Sequence, residues 1–149
     1  MQRSAEELYD MVSDVTRMGE WSPVCKSCWW DGDSLLGVGT WFTGRNELPD
    51  RTWETRSQVV VAERGHEFAF VVTSPLSGDP AVRWSYTFDP ATSGTRITES
   101  WEDLPAFAAS FKERYGADAQ QQVRMRIETG AAGISATLAA IKIAAESAP

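Results

Sequence analysis

Asp118–Ser147 reads DAQQQVRMRIETGAAGISATLAAIKIAAES, and the rest of the chain is expected to be organised around it. Its apolar residues recur three and four positions apart, which places them on one face of an α-helix that no proline interrupts. A long helix with an apolar stripe needs a surface to cover it, and a sheet with one buried face would supply that surface. The members of the stripe are Val123, Ile127, Ala131, Ile134, Leu138, Ile141 and Ala145.

The centre of this predicted helix carries almost no side-chain volume, because Gly130-Ala131-Ala132-Gly133 stands there. A glycine inside a helix costs about 1 kcal/mol relative to alanine, so a compensating reason is expected. One reason is close packing against large aromatic side chains, and the other is room for a ligand between the helix and the sheet.

Most of the chain before this helix alternates apolar and polar residues, as β-strands with one buried face do. Short turns join the strands, which is typical of an antiparallel meander. A connector at Leu104–Gly116 is predicted to be partly helical. The predicted strands are Cys25–Asp31, Gly39–Leu48, Thr52–Glu63, Glu67–Thr73, Ala81–Phe88 and Thr95–Glu102.

The N-terminus carries the signals of two short helices. Ser4-Ala5-Glu6-Glu7 is a capping box, and the stripe that follows it predicts a helix to about Val15. Thr16–Met18 adds one more short turn, and Pro23 forces the chain to be extended.

Length and charge narrow the class of protein. The 149 residues suit one domain spanning 1–149, and 42% hydrophobic content is that of a globular protein. A net charge of −7 argues against nucleic acid or an anionic membrane as the main partner. The N-terminus lacks an apolar signal core, and no apolar run approaches the roughly 20 residues of a membrane span, so a cytoplasmic location is expected.

The two cysteines form a lone C-x-x-C at Cys25 and Cys28. A zinc site would need a second pair or several histidines, and His66 is the sole histidine of the chain. Residues three apart in a strand point to opposite faces, so we expect two reduced thiols rather than a redox motif.

Other catalytic signatures are weak. His66 falls in the predicted turn Arg64–Glu67 and is expected to be solvated rather than catalytic. Neither a phosphate-binding glycine loop nor acidic residues at metal-ligand spacing occur, so neither a cofactor nor a metal is predicted. Several polar residues do fall on the apolar face, where they could serve a ligand or one another: Asn46, Thr55, Ser57, Tyr86 and Glu99.

Three motifs resemble one known family. Leu8–Val15 followed by Glu20-Trp21-Ser22-Pro23 resembles the opening of the polyketide cyclase/dehydrase and lipid-transport family, of the START-like (SRPBCC) superfamily. Gly39–Asn46 with Trp53-Glu54-Thr55 resembles its middle strands, and Gly94–Trp101 resembles its last strand.

The resemblance implies an α+β helix-grip fold. In that fold a curved antiparallel sheet, here of about six strands, wraps around the long C-terminal helix, with two short helices at the N-terminus. Family members usually carry a full strand before the first helix, whereas here only Met1-Gln2-Arg3 precede Ser4. The first family strand is therefore expected to be truncated. Either residues upstream of Met1 complete it, or the edge at Thr95–Glu102 is protected another way, since an open edge invites pairing with another chain.

The resemblance also implies a cavity between sheet and helix that holds a small apolar or aromatic molecule, such as a polyketide or lipid. Two functions stay open: a binding or lipid-transport protein for a hydrophobic ligand, and a cyclase or aromatase that uses the same cavity. The small residues at the helix centre disfavour a scaffold with a collapsed cavity. The predicted ligand-binding residues are Phe42, Asn46, Trp53, Thr55, Phe70, Trp84, Tyr86, Glu99, Trp101 and Ile134.

Glu99 and Tyr86 are the candidates for a catalytic role. Glu99 lies between Ile97 and Trp101 in the alternation, so its carboxyl group should be buried and its pKa raised. Arg45 should lie on the opposite face and leave Glu99 without a cation.

A second, weaker apolar stripe lies on the far side of the long helix. Together with the open edge it suggests a homodimer, although single exposed apolar residues are common on monomers. This stripe comprises Met125, Ala132, Ala136, Ala139 and Ile143.

Overall fold

The computed structural model of the protein describes residues 1–33 and 36–147. Within these ranges two short helices precede the sheet, and two longer helices follow it. The helices are α1 (Ala5–Ser13), a 3-10 helix (Val15–Glu20), α2 (Pro105–Tyr115), a 3-10 turn (Gly116–Asp118) and α3 (Ala119–Ser147). The strands are β1 (Cys25–Trp30), β2 (Trp41–Leu48), β3 (Arg51–Glu63), β4 (Glu67–Thr73), β5 (Pro80–Ala91) and β6 (Gly94–Asp103).

The described strands form one antiparallel sheet in the order β1-β2-β3-β4-β5-β6, which is the predicted meander. The sheet curves around the C-terminal helix, so the predicted α+β helix-grip fold is confirmed. The strand boundaries match those predicted to within about three residues, the usual accuracy for element ends. The largest difference is at β5, which continues to Ala91 instead of ending at Phe88.

The capping box at the N-terminus forms as the sequence predicts. The Glu7 N–H donates to Ser4 Oγ at 3.2 Å, and the Ser4 N–H donates to Glu7 Oε2 at 2.9 Å. The helix that follows packs on the sheet through Leu8, Tyr9 and Val12, which are all buried. The ring of Tyr9 meets Phe88 edge-on, with the ring centroids 5.8 Å apart.

The C-terminal helix α3 buries its predicted stripe in part. Ile141 is completely buried, and Ile134 and Leu138 are half-buried. Ile127 is 42% exposed, so the prediction that it is buried was wrong. In the first half of α3, Val123 packs on the cluster around Phe107 of α2, and Arg126 lies over Trp101 of β6. The fully buried positions of the helix are Gly130, Thr137, Ile141 and Ala145.

The N-terminal residues cover the start of β6. The amino group of Met1 donates to the Thr95 carbonyl at 2.8 Å, and the Thr95 N–H donates to the Met1 carbonyl at 2.9 Å. Thr95 Oγ1 also donates to the Arg3 carbonyl at 2.8 Å. The edge that a truncated strand would leave open is therefore paired at its first residues, and residues 1–3, which pair with it, form no strand of their own.

The far side of α3 is exposed, as the second stripe predicted. Met125 is 52% and Ile143 is 67% exposed. The homodimer stays a prediction, which sedimentation at micromolar concentration would test.

The helical segment Pro105–Ser147 contains an 18-residue window with a mean hydropathy of 1.2, long and apolar enough to cross a membrane. Judged by length and composition, this window contradicts the expectation that no apolar run approaches the length of a membrane span. The core helix of a soluble α+β domain passes the same test, and α3 does reach the core at Ile141 and Ala145. The cytoplasmic location stays a prediction.

Candidate functional site

The centre of the site is a block of four side chains on β5 and β6. The register pairs Trp84 with Trp101 and Tyr86 with Glu99. Residues two apart in a strand share a face, so all four side chains lie on the same side of the sheet. Tyr86 and Glu99 are buried and the two tryptophans are half-buried, with ring centroids 6.4 Å apart.

Glu99 has one hydrogen-bonded and one unpaired oxygen. The Tyr86 hydroxyl donates to Oε1 at 2.8 Å, whereas Oε2 is buried and has no partner among the described residues. Burial raises the pKa of Glu99 to about 7, and the hydrogen bond from Tyr86 opposes that rise. Burial and the charge of Glu99 raise the pKa of Tyr86 well above its ordinary value. Near neutral pH Glu99 can therefore give or take a proton.

Trp101 carries the second unpaired polar atom. Its Nε1 is buried and has no hydrogen-bond partner in the part of the chain that the structure describes. Arg126 of α3 holds its guanidinium carbon 5.6 Å from the centre of the same indole ring. The site therefore joins the last strand of the sheet to the helix that crosses it.

Arg126 is a partly buried cation. Burial lowers its pKa, and the charge of Arg51 lowers it further. Arg51 lies over Trp53, with its guanidinium carbon 4.5 Å from the ring centre. Among residues 1–33 and 36–147, no carboxylate forms an ion pair with Arg126. Burying the charged guanidinium of Arg126 without a counter-ion is costly, so the surroundings of Arg126 favour the binding of an anion.

The glycines of α3 do not lie against aromatic rings. A Cβ built on Gly130 would have Nη1 of Arg126, at 3.2 Å, as its one neighbour within 4 Å outside the local helix backbone. Among the described residues, a Cβ on Gly133 would meet only Pro23 Cγ, at 3.9 Å. Close packing on large aromatics is therefore not the reason for these glycines, and the alternative of spare room beside the helix is favoured.

The remaining predicted site residues fall into two groups. Asn46 and Thr55 form a polar pair on β2 and β3, in which Asn46 Nδ2 donates to Thr55 Oγ1 at 3.1 Å. Phe42 and Phe70 are buried in the main core, with ring centroids 5.1 Å apart. Trp53 and Ile134 are half-buried. The role of all these residues in ligand binding stays a prediction.

Two depressions stand out on the described surface, and both lie away from these residues. One of about 400 Å³ is lined by residues 2–4, Glu7 and residues 93–95. The other, of about 240 Å³, lies between α1 and the residues Trp30 and Leu36. Neither includes a predicted ligand-binding residue, so the cavity between the sheet and α3 stays a prediction.

The cysteines lie differently from what the sequence predicted. Cys25 and Cys28 are both buried, and their Sγ atoms are 3.3 Å apart. The pairing of β1 with β2 shifts between Cys25 and Ser27, and this bulge turns both side chains to one face. The prediction that they point to opposite faces was therefore wrong.

His66 is exposed in the turn between β3 and β4, as predicted, and its carbonyl accepts the Phe88 N–H at 3.0 Å. The residues that the sequence analysis missed are Arg51, Arg126 and the cysteine pair as a unit. The sequence did contain a signal for Arg126. It stands four residues before Gly130, on the helix face where the sequence analysis considered room for a ligand.

Comparison with known proteins identifies the family. The family model for polyketide cyclase/dehydrase and lipid transport matches residues 1–139, so the chain belongs to this family. Comparison with curated proteins finds no significant match.

Solved structures agree with this assignment. The polyketide cyclase-like protein Cgl2372 from Corynebacterium glutamicum is 43% identical over 98% of this chain and 86% of its own, with a TM-score of 0.70. The di-domain ARO/CYC protein BexL of the BE-7585A biosynthetic pathway is 22% identical over 100% of this chain and 48% of its own, with a TM-score of 0.67. The di-domain ARO/CYC protein StfQ of the steffimycin pathway is 14% identical over 95% of this chain and 46% of its own, with the same TM-score. At these identities the last two show a shared fold.

Proposed function

We propose that the protein binds a small, flat, apolar or aromatic molecule with an acidic group, between the sheet and α3. The family and the fold support a ligand-binding or cyclase role. The observation that carries the proposal is the set of unsatisfied polar groups: Glu99 Oε2, Trp101 Nε1 and the guanidinium of Arg126.

The two unpaired atoms support a ligand with polar groups on an apolar body. A buried polar atom without a partner costs about 1–3 kcal/mol, and a ligand that supplies the partner recovers this energy. Protonated Glu99 can donate to a carbonyl oxygen, and Trp101 Nε1 can donate to a second oxygen. The neighbouring rings of Trp84 and Trp101 provide apolar surface for a flat molecule.

Arg126 supports an acidic group at one end of that ligand. Arginine pairs with a carboxylate through two parallel hydrogen bonds, and such bonds are about twice as strong as those between neutral groups. The nearby charge of Arg51 adds to the positive potential around Arg126. The acidic end is therefore assigned to the side of the site that α3 covers.

Tryptophan fluorescence with two probes of the same shape tests the proposal, namely naphthoate and its uncharged analogue acetylnaphthalene. Replacing Arg126 with methionine keeps most of the apolar length and removes the charge. We expect Arg126→Met to weaken naphthoate binding about tenfold or more, the equivalent of one charge-assisted hydrogen bond, and to leave acetylnaphthalene binding nearly unchanged.

Arg124→Met is the matched control, because Arg124 is an exposed arginine two residues away on the same helix. Equal affinity of wild type and Arg126→Met for naphthoate would refute the proposal that Arg126 binds an acidic group of the ligand. If neither probe binds at millimolar concentration, and native mass spectrometry of protein from its own host shows no bound molecule, the binding function itself is wrong.

A cyclase is the second candidate, and the Tyr86–Glu99 pair favours it. A general acid–base group works best with a pKa near the working pH, and that of Glu99 is about 7. Incubation with a linear poly-β-ketone thioester, followed by mass spectrometry of the products, would test this candidate. Glu99→Gln should abolish any cyclisation while retaining binding, because glutamine keeps the hydrogen bonds and cannot transfer a proton. Cyclisation at an unchanged rate in that variant would exclude Glu99 as the catalytic residue.

A further inference from the structure

The bulge in β1 creates a dithiol that a regular strand would not form. Cys25 faces Asn46 of β2 and Cys28 faces Gly44, so three steps along β1 match two steps along β2. Two strand steps span about 6.6 Å, and disulfides bridge Cα atoms up to about 6.8 Å apart. The Sγ atoms are already 3.3 Å apart, so a small side-chain rotation would bring them to bonding distance.

The neighbouring strand leaves space for the two sulfur atoms. A Cβ at Gly44 would lie 3.2 Å from Cys28 Sγ and 3.3 Å from Cys25 Sγ, which is tighter than an ordinary contact. Glycine at this position therefore allows both thiols to sit over β2. Close to them Met18 Sδ lies 3.8 Å from Cys28 Sγ. Residues 1–33 and 36–147 contain no group of three or more His, Cys, Asp or Glu side chains that could bind a metal.

The two thiols differ in acidity. The hydrogen bond from the Cys28 thiol lowers the pKa of Cys25, although burial opposes this effect. The pKa of Cys28 is raised by the same interaction and by burial. Cys25 is therefore the thiol that ionises first, and a thiolate is the nucleophilic form of cysteine.

We propose that Cys25 and Cys28 form a redox-active dithiol that a hydroperoxide converts to a disulfide. The Cys25 thiol first loses its proton, and the thiolate attacks one oxygen of hydrogen peroxide. The O–O bond breaks, a sulfenic acid forms, and the departing hydroxide takes up the released proton to give water. The Cys28 thiol then attacks the Cys25 sulfur, the S–O bond breaks, and a second water leaves. One peroxide is reduced to two waters while two thiols are oxidised to one disulfide, and an external dithiol such as dithiothreitol restores both thiols.

Intact-mass measurement of the folded full chain tests this site. Treatment with a small excess of hydrogen peroxide should remove the mass of two hydrogen atoms, and dithiothreitol should restore it. After denaturation the oxidised protein should not react with iodoacetamide, whereas the reduced protein should take up two alkyl groups.

Two single substitutions test the assigned order of the thiols. Cys28→Ser should stop at the sulfenic acid and form an adduct with dimedone, because no second thiol is present to resolve it. Cys25→Ser should form much less adduct, because Cys28 ionises reluctantly. Gly44→Ala keeps both cysteines and should slow disulfide formation by crowding the sulfur atoms.

Three results would overturn the proposal. The first is that both thiols stay free after peroxide in protein whose circular dichroism remains native. The second is equal dimedone labelling of Cys25→Ser and Cys28→Ser, which would refute the assignment of Cys25 as the thiol that reacts first. The third is a metal bound in stoichiometric amount to the freshly purified protein, which would assign the pair to metal binding instead.

Discussion

The two halves of α3 belong to one continuous helix and have different surroundings. The C-terminal half enters the main core, where Ile141 and Ala145 join Leu8, Val12 and Phe68. The N-terminal half leaves Met125 and Ile127 exposed and contacts a smaller cluster around Phe107 through Val123. One of the two unpaired polar atoms, Trp101 Nε1, belongs to a ring that this less-buried half contacts, because Arg126 stands over Trp101.

The difference indicates a division of labour along the helix. One half contributes stability by burying apolar surface, and the other places Arg126 over Trp101, whose Nε1 has no partner within the described residues. A site that must admit a ligand cannot also be filled by its own side chains. Substitutions in the two halves should therefore affect different properties of the protein.

The largest expected effect is on stability at the buried end. Ile141→Ala should lower the free energy of unfolding by about 2–5 kcal/mol, since it removes a fully buried side chain and leaves a cavity. Ile127→Ala is the matched change in the other half and should cost less than about 0.5 kcal/mol. Urea denaturation of both variants measures the contrast, and equal losses would show that the two halves are packed alike.

An effect of intermediate size concerns Glu99 and pH. Its pKa is raised from 4.5 to about 7, so the folded state favours the protonated acid. Its contribution to stability is therefore fully present below about pH 4.5 and is lost as the pH rises to about 7. The shift corresponds to about 3 kcal/mol. Glu99→Gln should be more stable than wild type by up to about this amount at pH 8 or so, and nearly equal to it in acid.

Denaturation curves at a series of pH values test this expectation. Glu102→Gln is the control, because Glu102 lies on the same strand with an exposed side chain. A constant difference between Glu99→Gln and wild type across the pH range would mean that the carboxyl group titrates normally in the folded state.

The smallest expected effect is at the helix glycines. Gly133→Ala should stabilise the protein by up to about 1 kcal/mol, because alanine favours the helix and its Cβ would be in ordinary contact with Pro23 at 3.9 Å. Gly130→Ala should give a similar gain in stability, but it should also weaken naphthoate binding by displacing the guanidinium of Arg126. Equal naphthoate affinity of the two variants would show that Gly130 does not contribute to ligand binding.

The order of helices and strands could be predicted from the sequence, because each element has its own local signal. Alternation with period two predicted the strands, and spacing of three and four predicted α3. The same alternation placed Glu99 and Tyr86 on one face, where the structure joins them at 2.8 Å. Parity also placed Arg45 on the opposite, exposed face.

Contacts between distant segments were beyond such patterns. The exposure of Ile127 and the approach of Arg126 to Trp101 both depend on where α3 lies relative to α2 and the sheet. The pairing of Met1 with Thr95 likewise joins two residues that are 94 positions apart in the sequence. No periodicity within one element contains this information.

Local periodicity therefore determined the element types and the buried face of most strands, and the short turns between the strands determined the order of the sheet. Tertiary structure decided which half of α3 is packed, and it decided that Cys25 and Cys28 share a face. The physical reason is that a bulge is defined by the partner strand: one extra residue opposite β2 reverses the alternation, and the sequence of β1 alone carries no mark of its partner.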